Sequence, residues 1–71
     1  MPKTELSQTV GKNIRYHRER SGLSQNQAAE DIGIPQFRWW GYESGYHLPS
    51  VKTLEKICDC LGVSSAEILG F

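Results

Sequence analysis

Residues 36–40 read "QFRWW" and place one amide, one guanidinium and three aromatic rings on consecutive positions. Side chains of these types suit nucleobase edges: Gln makes two hydrogen bonds with adenine, Arg bonds guanine O6 and N7, and a Phe ring contacts the thymine methyl group. A small core needs only some of these five side chains facing inward. We therefore expect the segment to divide its side chains between the protein core and an external partner.

Elsewhere in the chain, few residues are suited to catalysis or to metal binding. His17 and His47 are the only histidines, and neither has a local Cys or carboxylate pattern that indicates a nucleophilic triad or a metal site. No P-loop or GxGxxG motif is present. We therefore expect no enzyme activity, no metal, no cofactor and no small-molecule substrate.

Length and charge set further limits. The 71 residues are enough for one small domain, which we expect to span residues 1–71 with its core over about residues 7–69. Eight basic and eight acidic residues cancel, so the net charge gives no sign of an anionic partner.

The cysteines and the hydropathy of the chain indicate the compartment. Cys58 and Cys60 are two positions apart on a predicted helix and point roughly 200° away from each other, so we expect free thiols in a reducing cytoplasm. No apolar run reaches the roughly 18–20 residues that a membrane span needs, and the start "MPKTELSQTV" lacks an apolar signal core.

Helical spacing recurs along the chain, and no stretch alternates as a strand would. Helix 1 is expected over about Ser7–Ser21 with an apolar face and Gly22 as its stop. Helix 2 starts at Ser24, whose capping box with Gln27 is a helix-start signal, and ends at Gly33. Helix 3 starts at Pro35 or Gln36 and ends near Glu43 or Ser44. The expected apolar face of helix 1 consists of Leu6, Val10 and Ile14.

Two further helices complete an all-α fold of five short helices. Ser50 caps helix 4 and Gly62 ends it, while Ser64 and Glu67 form a capping box for helix 5. The apolar positions of helix 4 recur at steps of three and four residues and predict its buried face, which consists of Val51, Leu54, Ile57, Cys58 and Leu61.

The segment "GIP" joins helices 2 and 3, and a Gly in a short turn between two helices is typical of the helix-turn-helix unit. From Val10 to Leu69 the chain resembles the phage-repressor-type (Xre-like, lambda-repressor-like) helix-turn-helix family. The resemblance lies in "NIRYHRERSGLSQNQAAEDIGI", "YESG", "LPS" and "LEKICDCLGVSSAEIL". It implies a helix-turn-helix unit at residues 24–44 with helix 3 in the DNA major groove.

The resemblance also implies residue roles. Helix 3 would read bases through Gln36, Phe37, Arg38 and Trp40. Backbone phosphates would meet helix N-termini and the loop before helix 4, with Gln25 also supporting the first reading residue. For each serine, simple capping is the alternative role; for Trp40, it is partial burial against helix 1 or a dimer mate. The expected backbone set is Ser24, Gln25, Asn26, Tyr46, His47, Ser50 and Lys52.

Two inward features of helix 3 follow from the same resemblance. The position of Trp39 is an inward aliphatic one in the family, and Trp39 and Tyr42 are spaced to share a buried face. Arg18 and Glu43 match an ion pair between helix 1 and the end of helix 3, which we expect to be at least partly buried. Gly41 departs from the family, because it stands where a polar or basic side chain often faces DNA.

These features predict a sequence-specific double-stranded DNA-binding regulator of prokaryotic or phage type, a repressor, that binds a pseudo-palindromic operator as a homodimer. Dimer contacts are expected from Leu48, Ile68, Leu69 and Phe71. The alternative is an antitoxin or another protein-interaction module with a partner such as a toxin, because aromatic residues are enriched at protein interfaces. A folded remnant without a partner is a third reading. Steep weakening with salt would favour DNA.

Overall fold

The computed structural model describes residues 3–71, and within that range it contains five α-helices and no strand. The all-α, five-helix prediction is therefore confirmed. In chain order the helices are α1 (Glu5–Arg20), α2 (Gln25–Ile32), α3 (Gln36–Glu43), α4 (Val51–Leu61) and α5 (Ser65–Leu69).

One hydrophobic core cluster draws side chains from all five helices. Trp39 of α3 is its largest fully buried side chain, and Tyr42 one turn later is also buried. The prediction that both residues face inward is confirmed. The other members come from the remaining helices and are Val10, Ile14, Ala28, Ala29, Ile32, Ile57, Cys58, Leu61 and Ile68.

Side-chain caps mark the start of four of the five helices, α1, α2, α4 and α5. Ser24 with Gln27 and Ser64 with Glu67 form the two predicted capping boxes, and the Ser50 hydroxyl accepts the Thr53 amide. Helix α1 begins two residues earlier than predicted because Thr4 and Ser7 form a third capping box. The Ser7 hydroxyl is buried and also donates to the Gly45 carbonyl at 2.7 Å, so it links α1 to the loop after α3.

Three apolar residues lie where the sequence did not place them. Leu6 is 45% exposed and Val51 is 77% exposed, although both were expected on buried faces. The buried stripe of α1 runs instead through Ser7, Val10 and Gly11, because α3 approaches that side, and Val51 lies in the first turn of α4, outside the core cluster. Ile68 is fully buried in the core, so its assignment to a dimer contact was wrong.

Gly11 sets the distance between α1 and α3. A Cβ atom on residue 11 would lie 2.5 Å from the Tyr42 carbonyl oxygen and 2.6 Å from that of Glu43. Backbone atoms cannot move aside as a flexible side chain can, so only glycine permits this approach. The contact places the carboxyl end of α3 directly on α1.

Two further properties of residues 3–71 concern membrane crossing and the state of the two cysteines. None of the helices in this range combines the length and the apolar character that crossing a bilayer requires. Cys58 and Cys60 are free thiols, Cys58 buried and Cys60 partly buried. Burial and the neighbouring carboxylate of Asp31 raise the pKa of the Cys60 thiol to about 12, which leaves it in the unreactive protonated form.

Candidate nucleic-acid interface

The turn between α2 and α3 orients the third helix. Gly33 ends α2 in the left-handed conformation with φ of 73°, and the Ile34 amide donates back to the Ala29 carbonyl at 3.0 Å. Pro35 then serves as the N-cap of α3 and makes no side-chain capping bond. The short turn therefore changes the direction of the chain between α2 and α3, and the first turn of α3 lies at the surface.

The inner side of α3 is held by a carboxylate that accepts from three side chains. The Arg18 guanidinium bonds Glu43 through Nε to Oε2 at 2.5 Å and Nη2 to Oε1 at 3.1 Å, with the two side chains 11% and 3% exposed. The Trp39 indole N–H donates to Oε2 at 2.5 Å, and Gln25 Nε2 donates to Oε1 at 3.0 Å. The predicted Arg18–Glu43 ion pair is present.

This arrangement changes the acidity of Glu43. Burial alone would raise the pKa of its carboxyl, but the hydrogen bonds from Arg18, Gln25 and Trp39 and the charge of Arg18 outweigh burial, so the pKa lies below its usual value. Arg18 completes the cluster by donating from Nη1 to the Leu23 carbonyl at 2.7 Å. This Glu43 cluster, which consists of Arg18, Gln25, Trp39 and Glu43, thus connects α1 and α2 to the last turn of α3.

The outer side of α3 presents the side chains assigned to base reading. Gln36, Phe37 and Arg38 occupy the first turn and are exposed, with Phe37 73% exposed. Trp40 is 50% exposed, and its ring stacks on that of Tyr46 with centroids 5.5 Å apart and planes 27° apart. The structure therefore leaves all four side chains exposed, and three of them, Phe37, Arg38 and Trp40, line one groove.

The side of Trp40 that is covered contacts the loop after α3. The Lys3 ammonium lies 4.5 Å from the centre of the Tyr46 ring, so Tyr46 contacts both an ammonium and the Trp40 indole. Lys3 was not singled out from the sequence, because nothing in "MPKTELSQTV" indicates that it reaches a loop more than forty residues away. The covered face of Trp40 thus has a partner within the chain.

The residues expected to contact the DNA backbone differ in their exposure and in their contacts within the chain. Ser24 and Ser50 both cap helices, while Asn26 and Lys52 are exposed. Gln25 donates to Glu43, so in this structure it supports the Glu43 cluster instead of Gln36. The expectation that Gln25 supports the first reading residue is therefore not met.

The loop after α3 and the helix itself enclose an open groove of about 620 Å³. Phe37 and Arg38 line it on α3, while Tyr46, His47 and Leu48 line it on the loop. Gly41, which stands where the family often has a polar or basic side chain facing DNA, is buried against the His47 ring. Among the expected dimer contacts, Leu48 and Phe71 are exposed and Leu69 is partly buried.

Comparison with known proteins identifies the family. A model of the helix-turn-helix domain family matches residues 10–69, which is most of the chain. The chain belongs to this helix-turn-helix family. The resemblance found in the sequence is thereby confirmed.

Relatives and a solved structure agree with the family. The chain is 32% identical over 62 residues to the HTH-type transcriptional regulator ImmR of Bacillus subtilis, and 34% identical over 61 residues to the cryptic phage CTXphi transcriptional repressor RstR of Vibrio cholerae. These alignments cover 87% and 86% of this chain but 49% and 54% of the relatives, so the chain spans about half their length. Both relatives are named as transcriptional regulators, which agrees with the expectation that the chain is not an enzyme.

The fold matches that of a regulator whose structure was solved on DNA. The crystal structure of SinR, the master regulator for biofilm formation, in complex with DNA superposes with a TM-score of 0.80 at 30% identity. The match covers 84% of this chain and 97% of that one. The five-helix arrangement is therefore that of helix-turn-helix regulators.

Proposed function

We propose that this chain binds double-stranded DNA sequence-specifically through the outer side of α3, as a transcriptional regulator that acts by repression. One observation carries the proposal: α3 is anchored from behind by Trp39 and the Glu43 cluster, while Gln36, Phe37 and Arg38 in its first turn stay exposed. A helix held in this way can enter the major groove with its base-reading side chains free.

The side-chain chemistry of the first turn supports base reading. The Gln36 amide suits adenine N6 and N7, the Arg38 guanidinium suits guanine O6 and N7, and the Phe37 ring suits a thymine methyl group. Trp40 follows one turn after Gln36, beside the same surface. In this proposal Trp40 contacts the groove or a sugar–phosphate wall with its uncovered face.

DNA backbone phosphates would be held at the N-termini of α2 and α4 and by the loop that precedes α4. The N-terminus of α2 offers Ser24 and Asn26, and that of α4 offers Ser50 with Lys52. Free amides and the positive end of the helix dipole attract phosphate there. With a net charge of zero, phosphate contacts must come from such local groups instead of a general basic surface.

We also propose that the chain acts as one domain in the cytoplasm and as a homodimer on DNA, with half-sites about one helical turn apart. Support for a dimer comes from the exposed Leu48 and Phe71 and the partly buried Leu69. The single core cluster and the free thiols are consistent with one domain and a reducing compartment.

Selection from a pool of random duplexes tests the proposal. The chain is incubated with the pool at low salt and again at higher salt, and the bound duplexes are sequenced. We expect a two-fold symmetric sequence to be enriched, with affinity falling steeply as salt rises. Recovery without any enriched sequence, or binding that salt leaves unchanged, would contradict DNA recognition. A salt-insensitive complex with a protein such as a toxin would instead support an interaction module.

A further inference from the structure

A glycine and a histidine far apart in the chain occupy one place on the surface of α3. Gly41 lies four residues after Phe37 and so follows it on the same side of the helix. A Cβ atom on residue 41 would lie 3.0 Å from Cδ2 of the His47 ring and 3.9 Å from Nε2. The imidazole of the loop thus fills the space that a side chain of α3 would take.

The loop backbone holds the histidine in this position. The amides of Tyr46 and His47 both donate to the Gly41 carbonyl, at 3.0 and 3.3 Å. Gly45 makes the reversal with φ of +82°, and its own carbonyl accepts the Ser7 hydroxyl. These bonds and the buried Ser7 therefore hold the backbone of His47 against α3.

The ring also lies in the groove that the base-reading side chains share. His47 is exposed, and it lines the same groove as Phe37 and Arg38. Because the ring meets Gly41 through carbon Cδ2, that contact does not use its nitrogen atoms. An imidazole N–H can donate to purine N7 or O6, and an unprotonated ring nitrogen can accept from an exocyclic amine.

We propose that Gly41 and His47 form one base-reading unit, in which the imidazole contacts a base edge from the position of the missing side chain at residue 41. This inference rests on the proposed function and makes it more specific. It changes the expected role of His47 from a backbone-phosphate contact to a specificity-determining contact. It also explains why residue 41 is a glycine. Gly41 keeps the surface of α3 open so that the loop residue reaches the groove.

The test compares His47→Ala, Gly41→Ala and the double variant with the wild-type chain. Affinity is measured on the selected duplex and on a shuffled duplex of the same composition. We expect each single variant to lower the ratio of the two affinities about ten-fold, as for one lost base contact. The double variant should lose no more than either single one, because both changes remove the same contact.

Controls separate this effect from folding and from charge. Denaturation curves should show Gly41→Ala folded, since the clashing atom is the end of an exposed side chain and alanine favours a helix over glycine. His47→Gln is a second variant that removes the imidazole and leaves the sequence of α3 unchanged. His17→Ala removes the other imidazole of the chain and should leave the ratio of the two affinities unchanged.

Two results would overturn the proposal. One is an equal loss of affinity on both duplexes for His47→Ala, which would assign the ring to phosphate. The other is a Gly41→Ala variant with an unchanged ratio. A wild-type chain that prefers no duplex would instead reject the proposed function, and the Gly41–His47 unit with it.

Discussion

On the inner side of α3, the Glu43 side chain is 3% exposed and accepts hydrogen bonds from three neighbours, whereas on the outer side Phe37 is 73% exposed. The glycine at each side of α3 also has different neighbours. Gly11 lets the α3 backbone rest on α1, while Gly41 is covered by a movable ring from the next loop. One helix thus has a side held by packing and a side open for contact. The comparison predicts that changes on the inner side alter stability and that changes on the outer side alter recognition.

The largest expected effect is on the inner side, at the ion pair. Glu43→Ala leaves the Arg18 guanidinium and the Trp39 indole N–H without their partner, so it should lower the free energy of unfolding by about 3–5 kcal/mol. Urea denaturation measures this loss. Glu19→Ala is the matched control, because the Arg15–Glu19 pair is 65% and 56% exposed and should contribute no more than about 0.5 kcal/mol. Similar losses in the two variants would show that the Glu43 cluster does not anchor α3.

A second change tests the approach of the two helices. Gly11→Ala puts a Cβ against two backbone carbonyls, which should destabilise the fold by about 1–3 kcal/mol or more. Gly41→Ala, whose clash is with a side chain, is the comparison. Thermal unfolding of both variants checks the difference, and a Gly11→Ala variant as stable as wild type would mean that α1 and α3 are not in this close contact.

Acid should weaken the inner side selectively. The pKa of Glu43 is lower in the folded chain than in the unfolded one, so its stabilisation is complete above the unfolded pKa of about 4.3 and is lost as pH falls through the folded value. Glu43→Gln removes this titration. The free energy of unfolding should therefore depend less on pH below about 5 in the variant than in wild type. Parallel pH profiles would contradict the assignment.

A smaller effect on stability is expected at Trp40 than at the inner side of α3. Its ring is half exposed and stacks on Tyr46, so Trp40→Ala should change the free energy of unfolding by less than about 1.5 kcal/mol. In a Trp39→Phe background, Trp40 is the only tryptophan and its emission should respond to the selected duplex. No response at saturating DNA would assign Trp40 to the domain alone or to a dimer contact.

The parts of the fold that were predictable depend on local signals. Serine caps and the glycine after α2 lie within a few residues of the helix ends that they define, and the Arg18–Glu43 pair followed from a family pattern. Leu6, Val51 and Ile68 were misplaced, because spacing along one helix does not show which of its sides meets a neighbour. For Leu6 on α1, that choice depended on Gly11 and on the path of α3.

The candidate site was predictable to a similar extent. Exposure of Gln36, Phe37 and Arg38 agrees with their expected roles, since they come from one helical turn. The bond from Gln25 to Glu43 and the position of His47 over Gly41 each join different elements. No periodicity in the sequence reports such contacts, because they depend on tertiary packing and loop geometry.

The most direct measurement of the central claim uses Gln36→Ala and Arg38→Ala on the outer side. Each variant is titrated with the selected duplex and with random duplexes, and its unfolding curve is recorded. We expect a loss of about 1–3 kcal/mol in preference for the selected duplex, with stability within about 0.5 kcal/mol of wild type. An equal loss of affinity on selected and random duplexes would contradict base reading by the first turn of α3.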